Sequence, residues 1–297
     1  MTEPVLAFRQ SNELAEGPVW DDRTHTLYWV DIPSGTQWRS VRRASGYSEP
    51  EAWRPADWLA AVGLADGSFV GAVADSVAQW RWGEPAVPLA PASFGPDVCF
   101  NDGKVGPDGA FWIGSKDRAH RQPVGLLERV GPGHRQRLET GLTISNGLDW
   151  SPDLRWFYLT DSVPRVIWRY RYDQETGSLS GRELFADGSE APGVPDGLAV
   201  DSEGCVWSAR WGGSQIVRLS PGGQVLARIA FPVSLVSSCA FGGPDLKTLF
   251  VTTAREQLTP AQRRTEVLAG SVFSLETEVP GLPAFRFSTT FKAKEPA

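Results

Sequence analysis

The sequence predicts an all-β fold: a six-bladed β-propeller with four antiparallel strands per blade, forming a single domain over residues 1–297. The first observation behind this is a phrase that recurs six times, in which an apolar stretch enters a polar turn and leaves as a short aromatic strand. Its turn and strand are Asp22…Leu27-Tyr28-Trp29, Asp66-Gly67-Ser68-Phe69-Val70, Asp108-Gly109-Ala110-Phe111-Trp112, Asp153…Phe157-Tyr158-Leu159, Glu203-Gly204-Cys205-Val206-Trp207 and Asp245…Leu249-Phe250-Val251. Taken at Tyr28, Val70, Trp112, Tyr158, Trp207 and Phe250, the units lie 42–49 residues apart, the length a four-stranded blade needs. The second observation is strict alternation after the aromatic strands, as in 166–172 and 215–219, the mark of half-buried β-structure. The third is composition: 31 Gly and 23 Pro supply many tight turns, and 13 Trp supply the apolar area of a core.

Each element follows from this frame. The strand around Val5-Leu6-Ala7-Phe8 is expected to complete the last blade and close the ring, so that no long edge stays free. One segment departs from the β pattern. Thr259-Pro260-Ala261-Gln262 offers a capping hydroxyl, a proline at the first helical position and a glutamine three residues on, which predicts a short helix over 259–268 near the channel mouth.

Composition also excludes functions. The chain has 29 basic and 35 acidic residues, net charge −6, with no Lys/Arg run beyond a dipeptide, so a nucleic-acid partner is not expected. Met1-Thr2-Glu3-Pro4 lacks a basic n-region, and no apolar run reaches 18 residues, so neither secretion nor a membrane is expected and the location is read as cytoplasmic. Cys99, Cys205 and Cys239 fit neither a disulfide framework nor a zinc motif and are read as reduced thiols. His25, His120 and His134 are scattered, which gives no support to a Ser-His-Asp triad. Nothing in the pattern assigns an oligomeric state.

In a propeller the innermost strand of each blade lines the central channel. Aligned by their turns, these strands place Glu16, Ala61, Asn101, Asn146, Asp196 and Ser238 at the channel mouth. Carboxylates and carboxamides from separate blades, brought to one axis, suit a hard divalent cation. The competing reading is local, because Asn-Gly and Asp-Gly also favour tight turns. Asp102 is a second ambiguity: neighbours in a strand point to opposite faces, so only one of Asn101 and Asp102 is expected to face the channel.

The segments Glu16-Gly17-Pro18-Val19-Trp20, Phe100-Asn101-Asp102-Gly103-Lys104-Val105, Ser145-Asn146-Gly147-Leu148-Asp149-Trp150, Pro195-Asp196-Gly197 and Ser238-Cys239-Ala240-Phe241-Gly242-Gly243 resemble, in order and spacing, the senescence marker protein (regucalcin), gluconolactonase and luciferin-regenerating enzyme family. The resemblance implies one divalent cation held by Glu16, Asn146 and Asp196, calcium first, with magnesium, manganese or zinc as alternatives. It also implies hydrolysis of a sugar lactone, with Asn101 touching substrate and Asp196 as general base. Two positions depart from the family. Cys99 stands where many members have Arg, and Gly114-Ser115-Lys116-Asp117 replaces the common Gly-Thr-Met. Both lie on the expected substrate wall.

If the innermost strand starts at the mouth and the second returns to it, the loops after the second strands surround the pocket. That places Lys116, Arg210 or Trp211, and Arg255 on its wall, with the 259–268 helix as a rim or lid; Lys116 and Trp211 are the substrate-binding candidates. The expected activity is metal-dependent opening of a small-molecule lactone or ester, with no Gly-x-Ser-x-Gly motif to suggest a serine hydrolase. The alternatives are a non-catalytic calcium-binding or interaction propeller, and a metal-dependent esterase or phosphotriesterase.

Overall fold

The computed structural model describes residues 3–288, so the ends of the expected 1–297 domain lie outside the described residues. Six four-stranded antiparallel units follow one another along the chain and close into a ring. The innermost strands are Ala15–Asp21, Leu59–Ala65, Val98–Val105, Ser145–Trp150, Val194–Val200 and Val236–Gly242, in blades 1 to 6. Each packs beside the next, and blade 6 returns to blade 1. The closing strand is Val5–Phe8, which pairs with Val272–Glu276 in the register Val5 to Ser274. The last blade is thus shared between the two ends of the chain, as the sequence predicts.

The repeated turn phrase has a physical cause that is clearest in blades 3 and 5. Asp108 accepts hydrogen bonds from the Ala110 N–H at 3.1 Å and from Trp112 Nε1 at 3.2 Å. Asp201 does the same for the Cys205 N–H and Trp207 Nε1, both at 2.9 Å. One carboxylate therefore satisfies the turn and the indole N–H of the aromatic strand, so Trp112 and Trp207 can be buried without an orphan donor. An arginine from the third strand, Arg129 or Arg218, then pairs with that carboxylate.

Every innermost strand carries a bulge at its upper end. The pairing shifts between Glu16 and Val19, Leu59 and Ala61, Phe100 and Gly103, Asn146 and Leu148, Pro195 and Leu198, and Val236 and Ser238. A bulge breaks alternation and re-aims side chains.

The helix is shorter than expected, Pro260–Thr265, with the Thr259–Gln262 capping box in place. It ends early because the Glu266 carboxylate leaves the helical course to accept from the Ser234 N–H at 2.6 Å and the Ser234 hydroxyl at 2.8 Å. One element was not foreseen. Residues 277–287 run as a strap under the ring, hydrogen-bonding at Leu246 and Ser202, and end as a strand, Arg286–Phe287, parallel to the innermost strand of blade 2. Among the described residues no helix is long and apolar enough to cross a membrane.

Candidate active site

At the upper mouth the innermost strands enclose a cavity of about 170 Å³. Four of the six ring positions line it: Glu16, Asn101, Asn146 and Asp196. The other two do not. Ala60 faces the cavity in place of Ala61, and Ser238 belongs to a second chamber lower in the channel. The expectation that Asn101 and Asp102 point to opposite faces is corrected, because both reach the cavity. The bulge between Phe100 and Gly103 is the reason, and no hydrophobic pattern records it.

The tight-turn reading fails at Asn146-Gly147 and Asp196-Gly197, since both pairs lie inside strands. The glycines serve close approach instead. A Cβ on Gly147 would lie 2.5 Å from the Leu198 nitrogen, and one on Gly197 would lie 2.1 Å from Ser238 Oγ. The strands of blades 4, 5 and 6 converge there, and that convergence gathers the polar side chains.

Hydrogen bonds fix the amides. Asn101 Nδ2 donates to the Ser145 carbonyl and to Asn146 Oδ1, each at 2.9 Å, and Asn146 Nδ2 donates to Ser162 Oγ at 2.9 Å. Both carbonyl oxygens therefore keep a lone pair for another partner. The carboxyls are less well served. Glu16 accepts from the Gly17 N–H at 2.9 Å and Asp102 from the Gly103 N–H at 2.7 Å. Burial, then repulsion from Asp196 and Asp102, pushes the Glu16 carboxyl well above the ordinary range. Burial, then Asp102, does the same to Asp196. Asp102 is raised to about 6, mainly by burial. Three carboxyls crowded out of water form a site with uncompensated negative charge.

Glu16, Asp196 and Asn146 supply two carboxylates and one amide oxygen, a donor set of the hard type that holds a divalent cation. Among the described residues no three His, Cys, Asp or Glu side chains gather as a metal cluster, so the fit depends on the Asn146 oxygen.

The wall is partly as expected. Lys116 and Trp211 line the cavity. Arg210 lies behind it, fully buried, with its guanidinium pushed down to about 10 by burial and by Arg228 and Arg165. Arg255 is corrected: its backbone and that of Glu256 both donate to the Glu13 carbonyl, which turns its side chain outward to the Glu13 carboxylate at 3.4 Å. Glu256 and Gln257 take its place on the wall. The helix does not line the cavity, and Arg263 ties it to Glu13 at 2.8 Å. His120, unmarked in the sequence pattern, also reaches the cavity.

A closed six-bladed ring with acids and amides converging at one mouth defines a propeller with an oxygen-rich channel site. The chain belongs to the SMP-30/Gluconolactonase/LRE-like family, whose model matches residues 14–255. It is 38% identical over 283 residues to the 6-deoxy-6-sulfogluconolactonase of Pseudomonas putida, covering 92% of this chain and 94% of that one. It is 36% identical over 289 residues to a pentonolactonase of Haloferax volcanii, covering 93% and 95%. Among solved structures, a calcium-binding protein, regucalcin, from Agrobacterium tumefaciens superposes with a TM-score of 0.89 at 28% identity, covering 97% of each chain.

Proposed function

We propose that this protein hydrolyses a sugar lactone with the help of one divalent cation held by Glu16, Asn146 and Asp196. The observation that carries the reading is the convergence of those three side chains, with Asn101 and Asp102, on the floor of one cavity. Family membership and the similarity to lactonases acting on sulfogluconolactone and pentonolactone support the substrate class.

When bound, the cation would supply Lewis acidity toward the ester carbonyl. The protein's own groups do the rest. Asp196, whose buried carboxyl holds a proton more tightly than usual, accepts the proton of the attacking water as general base. Water adds to the acyl carbon, the ring C–O bond breaks, and the proton passes to the departing ring oxygen, which leaves an open-chain hydroxy acid. The free carbonyl oxygen of Asn101 accepts from a sugar hydroxyl, the Lys116 ammonium donates to substrate, and Trp211 offers an apolar face to the ring.

The test is hydrolysis of a panel of aldonolactones after chelation, with calcium, magnesium, manganese or zinc restored singly. Activity that is lost on chelation and regained with at least one ion supports the reading. The same cation bound with no lactone turned over would leave a calcium-binding propeller.

A further inference from the structure

The cavity is acidic on its floor and at Glu256, yet one side is different. Lys116 is the next-to-last residue of the second strand of blade 3, paired with Cys99 across the sheet and bridged to Ile144 of blade 4, so its backbone is fixed between two blades. Four carboxylates, Glu16, Asp102, Asp196 and Glu256, share its cavity, but none comes within ion-pair distance of its ammonium. The charge is still felt, since it holds Glu16, Asp196 and Glu256 lower than they would otherwise be.

The residues that follow continue the pattern. In Lys116-Asp117-Arg118-Ala119-His120-Arg121 the one acid, Asp117, is used on its own loop. Its carboxylate accepts from the N–H groups of Arg121 at 2.8 Å, Gln122 at 2.9 Å and Ala119 at 3.1 Å. That cap shapes the loop and brings His120, at a left-handed φ of 55°, to the cavity beside Lys116. The Arg118 side chain donates to the Pro96 carbonyl, at 2.8 Å, and Arg121 is exposed; neither makes an ion pair among the described residues. Lys116 and His120 thus form a basic side of an otherwise acidic cavity, and the loop that carries them adds Arg118 and Arg121 outside its lining.

Sugar hydroxyls can be held by neutral donors. A cation without an ion pair on one side of a concave site does something more, since with the basic loop beside it the local field draws a negative group to that side. We propose that the preferred substrate is a lactone carrying a fixed negative group away from the ester, a sulfonate, phosphate or carboxylate, held by Lys116 and His120 and steered in by Arg118 and Arg121. This rests on the lactonase reading and specifies its substrate. The ester end faces the oxygen-rich floor and the anionic end faces blade 3.

The experiment compares glucono-1,5-lactone with its 6-sulfonate, its 6-phosphate and the 6-carboxylate, glucaro-1,5-lactone, at low and high salt. The enzymes are the wild type, Lys116→Gln, Lys116→Arg and the double variant Arg118→Gln/Arg121→Gln. The expected result is a kcat/KM about tenfold or more higher for an anionic lactone than for the neutral one at low salt, a gain that shrinks as salt screens the loop. The exposed double variant should flatten the salt dependence. Lys116→Gln should raise KM for the anionic lactone far more than for the neutral one, and Lys116→Arg should keep the preference. Which of the three anions is favoured identifies the group.

A neutral lactone hydrolysed as well as every charged one, with no salt dependence, overturns the inference and leaves the lactonase reading intact. So does an anion preference that survives both Lys116→Gln and the double variant. Hydrolysis of no lactone, charged or neutral, overturns both readings.

Discussion

In the innermost strand of blade 3, Asn101 faces the upper cavity, Asp102 borders both it and the chamber below, and Lys104, two residues on, lies in the lower chamber. There it pairs with Asp149 of blade 4 at 2.9 Å and approaches the Leu198 carbonyl of blade 5 at 3.5 Å. Asp149 also accepts from the Val200 N–H at 3.1 Å. The lower chamber is otherwise largely apolar and is closed beneath by Leu282, Pro283, Ala284 and Phe285 of the strap. The same strands thus balance charge below and leave it unbalanced above. Polarity in the channel is common to both halves, whereas uncompensated charge marks only the half that holds the proposed site.

The largest expected break in this comparison is at Asp196. Asp196→Asn keeps an oxygen ligand but cannot accept a proton, so hydrolysis with saturating cation should fall by about 10²–10⁴-fold. Initial rates against cation concentration, with occupancy followed by calorimetry, check it; near-normal turnover at full occupancy would remove Asp196 as the base. Glu16→Gln should behave differently, weakening cation binding while excess cation restores much of the rate.

The upper half should also show its charge in cation-free stability. Glu16 and Asp196 have raised values in the fold, so the folded protein holds protons that the unfolded chain has released. Stability should therefore fall as pH rises from the ordinary carboxylate value, about 4, through the raised values. Thermal melts in chelator across that range should be flatter for Glu16→Gln than for wild type; an equally steep fall would place the charge elsewhere.

In the lower half, Lys104→Met leaves Asp149 without its cation. Denaturant unfolding should show a loss of about 1–3 kcal/mol, with the lactone KM unchanged. A shifted KM with intact stability would reverse the assignment of the two halves. The smallest effect belongs to the rim. Arg255→Gln loosens only a half-buried pairing with Glu13, so stability should change by about 1 kcal/mol or less and KM should stay put.

Much of this was legible in the sequence because the blade repeats itself. Six turns feeding six aromatic strands fix the number of units, and aligning them puts Glu16, Asn101, Asn146 and Asp196 in register. What could not be read was local geometry. The bulge that lets Asn101 and Asp102 face the same cavity is a shift in hydrogen-bond pairing, and side-chain periodicity does not encode it. Arg255 and Glu256 sit in one loop, and a pair of backbone contacts to Glu13 decides which of them faces inward. The strap lacks the repeat, since it is a single crossing under the ring. His120 depends on a cap built by Asp117, whose residue type alone does not announce that role.

The pairing of Val5–Phe8 with Val272–Glu276 has a consequence for how the molecule comes to be made. The contact between Val5 and Ser274 spans nearly the whole chain, the kind of non-local pairing that slows folding because its entropy is lost before it is rewarded. On a ribosome adding about 5–20 residues per second, the first strand would wait roughly 15–50 s for its partner to be synthesised. Blades 1 to 5 each contain four antiparallel strands of their own and can form in order of synthesis, with Arg286–Phe287 added beside blade 2 at the end, whereas blade 6 cannot complete its four until Val272–Glu276 is made. Until then Val5 and Leu6 belong to an unpaired segment, and the ring stays open beside the blade that supplies Glu256 to the cavity. A nascent chain stalled before residue 272 would hold five blades and no closed site.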